Sequence, residues 1–174
     1  MKKIVCTLLS LLLLLGGALA LVACNAASAP EIPEGYQKFA DDCLSFAYPE
    51  NWKKSTGSTV ILTNPTGAGN NITVVYEPQT DLYKNMTAQT FIDTIKPSFD
   101  AVNMSIYGVS VTQTTSNGQD VTKINYTASL SGVTMEQTVF VITVDDRTYS
   151  VTVTETAQDD ALVDTVFNTL YPIQ

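Results

Sequence analysis

The sequence contains no histidine, and this removes the side chain on which most hydrolytic mechanisms depend. Ser-His-Asp and Cys-His nucleophilic arrangements are excluded, together with the commonest protein ligand of transition metals. Basic residues are also few, since nine Lys and Arg stand against 17 Asp and Glu, a net charge of −8. Such a surface repels nucleic acid and anionic lipid headgroups. We therefore expect no nucleic-acid partner.

Cysteine is scarce as well, and its three positions have different expected fates. Cys6 lies within an N-terminal leader and Cys24 at the end of it, so Cys43 is the single thiol left and no internal disulfide is possible. The neighbouring Asp41 and Asp42 disfavour a thiolate. We interpret Cys43 as a small residue in or beside the core rather than as a nucleophile.

A long apolar run occurs once, at the N-terminus, in the order typical of a secretory signal peptide. Lys2 and Lys3 precede the apolar segment 4–21, and small residues follow. About 20 apolar residues also suffice for a retained membrane helix. The residues that follow favour export, and we predict a signal peptide over residues 1–23.

The end of this leader matches a lipobox, in which small residues precede a cysteine that becomes lipidated. The four residues are Leu21, Val22, Ala23 and Cys24. We expect cleavage before Cys24 and covalent diacylglycerol and fatty acyl groups on that residue, with no other cofactor. The rival interpretation is a chance cysteine at the end of an apolar helix. The prediction is a lipoprotein of the cell envelope, held by its lipid on the extracytoplasmic side of a membrane.

Residues 24–35 have the composition of a flexible tether and precede a single domain at residues 36–174. The tether lacks periodicity and contains Pro30 and Pro33. Its stretch from Asn25 to Gly35 spans at most about 36–40 Å, enough to lift a domain clear of a bilayer. The domain is long enough to build one sizeable core. Without the leader, seven basic and 17 acidic residues remain, a net charge of −10.

Alternating and helical patterns predict that this domain is α+β. Four short strands are expected first, at residues 36–40, 44–48, 60–63 and 72–77. Apolar residues at helical spacing then predict a helix near 88–96, which Pro97 kinks or ends. A second helix is expected at 158–170, with Thr156 as its N-cap. The predicted fold is an antiparallel sheet packed by two main helices.

The clearest pattern is a C-terminal meander of four strands. They are expected near 104–115, 119–130, 133–144 and 147–155, separated by the turn signals Asn117-Gly118, Ser131-Gly132 and Asp145-Asp146. In the last strand, apolar odd positions alternate with polar even positions, which predicts one core face and one outward face. In the second strand, Ile124, Tyr126, Ala128 and Leu130 alternate with polar residues in the same way. The predicted outward set includes Ser150, Thr152 and Thr154.

The segment that opens the domain resembles a family motif. Phe46-Ala47-Tyr48-Pro49-Glu50-Asn51-Trp52 is similar to the F-x-Y-P-x-x-W opening of the PsbP-like family, and the order of elements agrees from about Tyr36 to Leu170. That family includes extrinsic photosystem proteins and bacterial lipoproteins of the DcrB and LpqN kind, with a PsbP/Mog-type α+β fold. The resemblance implies the fold and not an activity, although members of the family act mostly as accessory or binding proteins. Its motif residues, Phe46, Tyr48, Pro49 and Trp52, are expected in the core, and the metal ligands of photosynthetic members have no counterpart here.

Three acidic pairs remain as candidates for cation chemistry: Asp41-Asp42, Asp145-Asp146 and Asp159-Asp160. None has the spacing that wraps oxygen ligands around one Ca²⁺ ion. Turn and helix-cap preferences explain all three. The Gly67-Ala68-Gly69-Asn70 segment joins two strands without the lysine and helix of a phosphate loop, so we interpret it as a hairpin turn. We predict no catalytic and no metal-binding residue.

The sequence therefore predicts a membrane-anchored, non-catalytic binding or accessory protein for an envelope protein partner. The alternative is a small-ligand or cation-binding lipoprotein, which needs a concave pocket with convergent polar groups. A pocket lined by Trp52, tyrosines and aspartates would favour that alternative. An enzyme that uses carboxylates or Cys43 is a third hypothesis, and the lack of histidine weighs against it.

Overall fold

A computed structural model describes residues 28–55, 59–67 and 69–173, which form ten strands and two helices. The strands are β1 (Tyr36–Ala40), β2 (Leu44–Pro49), β3 (Lys53–Lys54), β4 (Val60–Thr63), β5 (Asn71–Pro78), β6 (Met104–Ser116), β7 (Gln119–Leu130), β8 (Val133–Val144), β9 (Arg147–Glu155) and β10 (Tyr171–Pro172). The helices are α1 (Ala88–Ala101) and α2 (Asp160–Thr169). The predicted α+β fold with two helices is confirmed.

The strands form two antiparallel sheets. The larger has seven strands in the order β3-β4-β5-β9-β8-β7-β6, and the smaller has three in the order β1-β2-β10. The predicted meander is β6 to β9, and its first two turns place Asn117, Gly118, Ser131 and Gly132 at positive φ, the conformation of a two-residue hairpin turn. Local turn chemistry therefore sets the register of the meander.

Two separate hydrophobic cores cover the two faces of the seven-stranded sheet. The first core lies on the face that packs against the small sheet and α2. The second core lies on the opposite face, where α1 packs against β6. Large side chains of the first core include Phe46, Trp52, Phe140, Tyr149, Leu162 and Val166. Those of the second include Met86, Phe91, Ile124, Tyr126, Val139 and Val141.

Neighbouring cross-strand pairs of the meander are buried on opposite faces of the sheet. Val151 of β9 and Phe140 of β8 are cross-strand partners and belong to the first core. Ile124 of β7 and Val139 of β8 are likewise partners, but they belong to the second core. Residues 138–142 of β8 are consequently buried without interruption. Because both faces of this central strand are covered, its sequence is a continuous apolar run rather than an alternating one.

Helix α1 continues through Pro97 to Ala101, so the expected end of the helix near Lys96 is wrong. Pro97 has no N–H group, so the carbonyl of Asp93 lacks the hydrogen bond that it would accept in a regular helix. Pro97 and Asp93 are both exposed, where water can take the place of that donor. Phe99 holds the last turn of the helix against Tyr126, with 6.1 Å between ring centroids.

Helix α2 starts later than expected, and its cap is not Thr156. Asp159 is the N-cap, because its carboxylate accepts a hydrogen bond of 3.1 Å from the N–H of Leu162. A carboxylate at this position also interacts favourably with the helix dipole. The N–H of Thr156 instead donates to Asn70 of the β4–β5 connection.

Candidate functional site

The residues of the predicted anchor and those of the family motif lie in different places. Leu21, Val22, Ala23 and Cys24 lie outside the residues that the structure describes. The motif side chains Phe46, Tyr48 and Trp52 are buried in the first core, and Pro49 ends β2 with partial exposure. The motif therefore stabilises the junction of the two sheets, and its residues line neither of the two clefts described below.

One region of the large sheet is not covered by either of the two described helices, and we call it the open face. Cross-strand pairing places Ile61, Thr73 and Thr152 in one row, and Val75 and Ser150 in the next. Ile61 is 38% exposed and Val75 is 48% exposed. The open face thus consists of uncharged side chains from β4, β5 and β9, and the exposed Lys53 and Glu77 lie at its two ends.

The predicted outward set of β9 is only partly correct. Ser150 and Thr152 are half-buried on the open face, whereas Thr154 is 8% exposed and Thr148 is fully enclosed. The hydroxyl of Thr148 accepts a hydrogen bond of 3.0 Å from the N–H of Thr80, in the segment that follows β5. Alternation along β9 identified this face correctly, but it could not show which neighbouring segments cross it.

A cleft of about 450 Å³ opens at the start of α2, on the first-core side of the sheet. Glu136, Glu155, Asp160 and Asp164 contribute four carboxylates to its lining, and Lys123 is its one cation. We call it the acidic cleft. The Lys123 ammonium lies over two phenyl rings, 5.7 Å from the centroid of Phe140 and 5.9 Å from that of Phe167. Those rings hold Lys123 at one end of the cleft.

Glu155 is the most buried carboxylate of the acidic cleft, with 5% of its surface exposed. Its Oε1 accepts a hydrogen bond of 2.6 Å from the N–H of Asp159. Burial raises the pKa of Glu155, and the negative charges of Asp159, Glu136 and Asp160 raise it further. A positively charged ligand in the cleft would relieve this accumulation of negative charge.

A groove of about 700 Å³ lies on the opposite face of the sheet, and we call it the second groove. The segment after β5 forms one wall, and the end of the β6–β7 hairpin forms the other. The carbonyl of Tyr83 accepts hydrogen bonds of 3.1 Å from the side chains of both Gln113 and Thr122. These bonds fix the first wall to the sheet.

Cys43 packs beside the first core with partial exposure, in keeping with its predicted position. The carboxylate of Asp41 accepts hydrogen bonds from the N–H groups of Cys43 and Leu44, at 2.9 and 2.8 Å. Asp41 is therefore a turn residue. The nearby Tyr149 is fully buried, and burial raises its pKa well above the usual value.

The other two acidic pairs also have structural roles. Asp145 occupies the positive-φ position of the β8–β9 turn, and Asp159 caps α2. Within residues 28–55, 59–67 and 69–173, no three acidic or cysteine side chains are grouped closely enough to hold a metal ion. In the same part of the chain, no helix is both long and apolar enough to cross a membrane.

An antiparallel seven-stranded sheet with a helix on each face and a small second sheet defines a class of α+β domain, and the sequence matches one family of that class. The family model of PsbP matches residues 34–171, which is most of the chain. The protein belongs to the PsbP family. A comparison with curated proteins finds no match.

Solved structures of similar fold come from several bacteria. Cyanobacterial PsbP (CyanoP) from Synechocystis sp. PCC 6803 has 16% sequence identity and a TM-score of 0.65, over 84% of this chain and 98% of that one. A Bacteroides thetaiotaomicron VPI-5482 protein has 12% identity and a TM-score of 0.54, over 80% of this chain and 49% of its own. LpqN of Mycobacterium tuberculosis, involved in cell envelope biogenesis, has 15% identity and a TM-score of 0.41, over 80% of this chain and 92% of its own. The first two likenesses show a shared fold.

Proposed function

We propose that the protein is an extracytoplasmic lipoprotein that binds an envelope protein partner without turning over a substrate. The lipobox that ends at Cys24 supports the anchor, and membership of the PsbP family supports the accessory role. The short tether confines the domain to a thin layer above the membrane. Confinement raises the effective concentration for membrane neighbours, so that modest affinity suffices for binding.

The open face is the observation that carries this proposal. In the central part of the large sheet, by contrast, the first and second cores cover both sides of β8. The open face combines exposed Ile61 and Val75 with the short polar side chains of Thr73, Ser150 and Thr152. The five uncharged side chains of this surface cost little to desolvate. These properties suit a protein–protein contact.

The test uses the full-length lipoprotein in a deletion strain and compares two exposed valines. Val75 on the open face is 48% exposed, and Val133 at the β7–β8 hairpin is 55% exposed. Val75→Glu is expected to abolish both complementation and co-purification of one membrane partner, whereas Val133→Glu keeps both. Equal behaviour of the two variants, or full complementation by a soluble form that starts at Glu31, would contradict the proposal.

The acidic cleft favours a second candidate function, the binding of a small organic cation. Four carboxylates line this concave space of about 450 Å³, and Glu155 is largely removed from water. Thermal unfolding in the presence of spermidine tests this function, and an equal ionic strength of NaCl is the control. A rise in melting temperature that Glu136→Gln and Asp164→Asn both reduce would support it. No rise beyond that given by NaCl would exclude it.

A further inference from the structure

We propose that the free edge of β6 is a docking site for an extended, basic peptide segment of another protein, which adds a strand to the large sheet. This site is separate from the open face. The observations behind it are the composition of the sheet edges, the register of the β6–β7 hairpin, and the two clefts that flank β6.

Three of the four sheet edges in the described residues carry features that prevent strand addition. β3 consists of two exposed lysines, Lys53 and Lys54. β1 is five residues long and includes Lys38, and β10 is a two-residue strand that includes Pro172. Shortness, lysine and proline are the devices by which natural proteins protect their edges. The fourth edge, β6, is 13 residues long and contains neither a charged residue nor proline.

A bulge divides β6, and a regular segment follows it. The pairing of β6 with β7 shifts between Tyr107 and Ser110, and Gly108 has φ +67°. From Ser110 to Ser116 the register is unbroken. These residues offer a straight edge of about 23 Å.

The hairpin turn determines which backbone groups point outward from that edge. In a two-residue turn the flanking residues, Ser116 and Gln119, form a hydrogen-bonded pair. Because such pairs alternate along the strand, Val111, Gln113 and Thr115 direct their N–H and C=O groups away from β7. Among the residues that the structure describes, β7 is the single strand paired with β6. An added strand would form hydrogen bonds with the outward N–H and C=O groups of these three residues.

The two clefts give an added strand places for its side chains. Alternate side chains of a strand point to opposite faces of the sheet. On one face the acidic cleft reaches Gly108, which has no side chain to block the approach from the edge. On the other face the second groove borders Gln113 and Thr115. Backbone pairing with side-chain pockets on both faces is the recognition mode of strand addition.

Charge defines the occupant as basic and argues against a second copy of this chain. The acidic cleft has four carboxylates and one ammonium, whereas the second groove on the other face has one of each, Asp120 and Lys84. Two copies without the leader would each bring a net charge of −10, and these charges repel. A peptide with lysine or arginine at every second position places those side chains on the acidic face.

The test uses three seven-residue peptides and the lipidated full-length protein in detergent micelles. The first alternates lysine with threonine and valine, the second replaces lysine with glutamate, and the third is the lysine peptide with every backbone amide methylated. Amide hydrogen exchange is followed by NMR. The lysine peptide is expected to slow the exchange of Val111, Gln113 and Thr115 about tenfold or more. The methylated peptide, which has lost its backbone donors, should have no effect.

Two protein variants make the outcome specific to the edge. Thr115→Pro removes one outward N–H at an exposed position and should weaken binding of the lysine peptide about tenfold. Val75→Glu, which tests the open face, should leave peptide binding unchanged, so the two proposals fail independently. Equal binding of the lysine and methylated peptides would overturn strand addition. Stronger binding of the glutamate peptide, or a dimer that protects β6 without peptide, would overturn the basic occupant.

Discussion

The side-chain oxygen of Asn70 accepts a hydrogen bond of 3.0 Å from the backbone N–H of Thr156, although 86 residues separate them. The amide nitrogen of Asn70 donates to the carbonyl of Ala157 at 3.1 Å. Asn70 is buried, so these bonds are shielded from water. They join the β4–β5 connection to the segment between β9 and α2, at the corner where the open face meets the first core.

Gly69→Ala is expected to lower the free energy of unfolding by about 2–4 kcal/mol. A Cβ at this position would lie 2.6 Å from Oγ1 and 2.9 Å from Cγ2 of Thr156, so no rotation of that branched side chain removes the clash. Gly67→Ala is the matched control, since Gly67 has a similar positive φ with no atom near the added Cβ. It should cost about 1–2 kcal/mol. Urea unfolding of both variants measures the difference, and equal costs would show that the corner is loosely packed.

Glu155→Gln is expected to make the protein more stable at neutral pH and to flatten its pH dependence. Burial raises the pKa of Glu155 above 4.5 in the folded state. Protonation therefore favours the folded state, and this contribution is lost as the pH rises from about 4.5 through the folded-state pKa. Glutamine stays neutral and can still accept the N–H of Asp159. Urea unfolding from pH 4 to 8 should show the two proteins diverging as the pH rises, and parallel curves would contradict the prediction.

Cys24→Ala is expected to block both lipid attachment and signal-peptide processing. Diacylglycerol transfer requires the thiol, and cleavage before residue 24 requires the lipid. Metabolic labelling with palmitate and the apparent mass on a gel provide the two measurements. Cys43→Ala is the control, because its thiol lies beside the first core and should accept no lipid. Palmitate on the Cys24→Ala variant would show that the anchor is elsewhere.

Cys43→Ser is expected to lower the free energy of unfolding by about 1–3 kcal/mol while leaving partner binding intact. The side chain packs against the first core with partial exposure, which favours the lower part of that range. Chemical denaturation measures the loss. In the unsubstituted protein, a thiol reagent at neutral pH should react with Cys43 more slowly than with a free cysteine, and reaction at the free rate would contradict the packing.

Sequence patterns predicted the meander because its determinants are local. Asn117-Gly118 and Ser131-Gly132 each favour a tight turn, whatever the rest of the chain does. Alternation also identified the buried residues of each strand, such as Val151 in β9 and Ile124 in β7. It could not show that these two lie on opposite faces, because strand pairing decides which face each set shares. The uninterrupted apolar run in β8 was the one available sign that both faces are covered.

The proposed binding surfaces could not be predicted from the sequence, because they also depend on how the strands pair. Lys123, Glu136, Glu155 and Asp164 come from three strands and a helix, and only the tertiary fold brings them to one cleft. The open face likewise depends on β5 pairing with β9, which lies about 70 residues further along the chain. The exposed edge of β6 follows from the strand order of the complete sheet.

The small sheet joins the two ends of the domain, because β1 and β10 lie on either side of β2. The N–H of Ile173 also donates to the carbonyl of Cys43 at 2.7 Å. If the chain is exported with its N-terminus first, β2 acquires its second neighbour only when residue 172 has emerged. Folding of this sheet must then follow export. β10 ends beside Leu44 and β1 begins beside Pro49, at opposite ends of β2. A circular permutant with new ends at the β7–β8 turn therefore needs a linker from residue 173 to residue 36 that runs back along the small sheet.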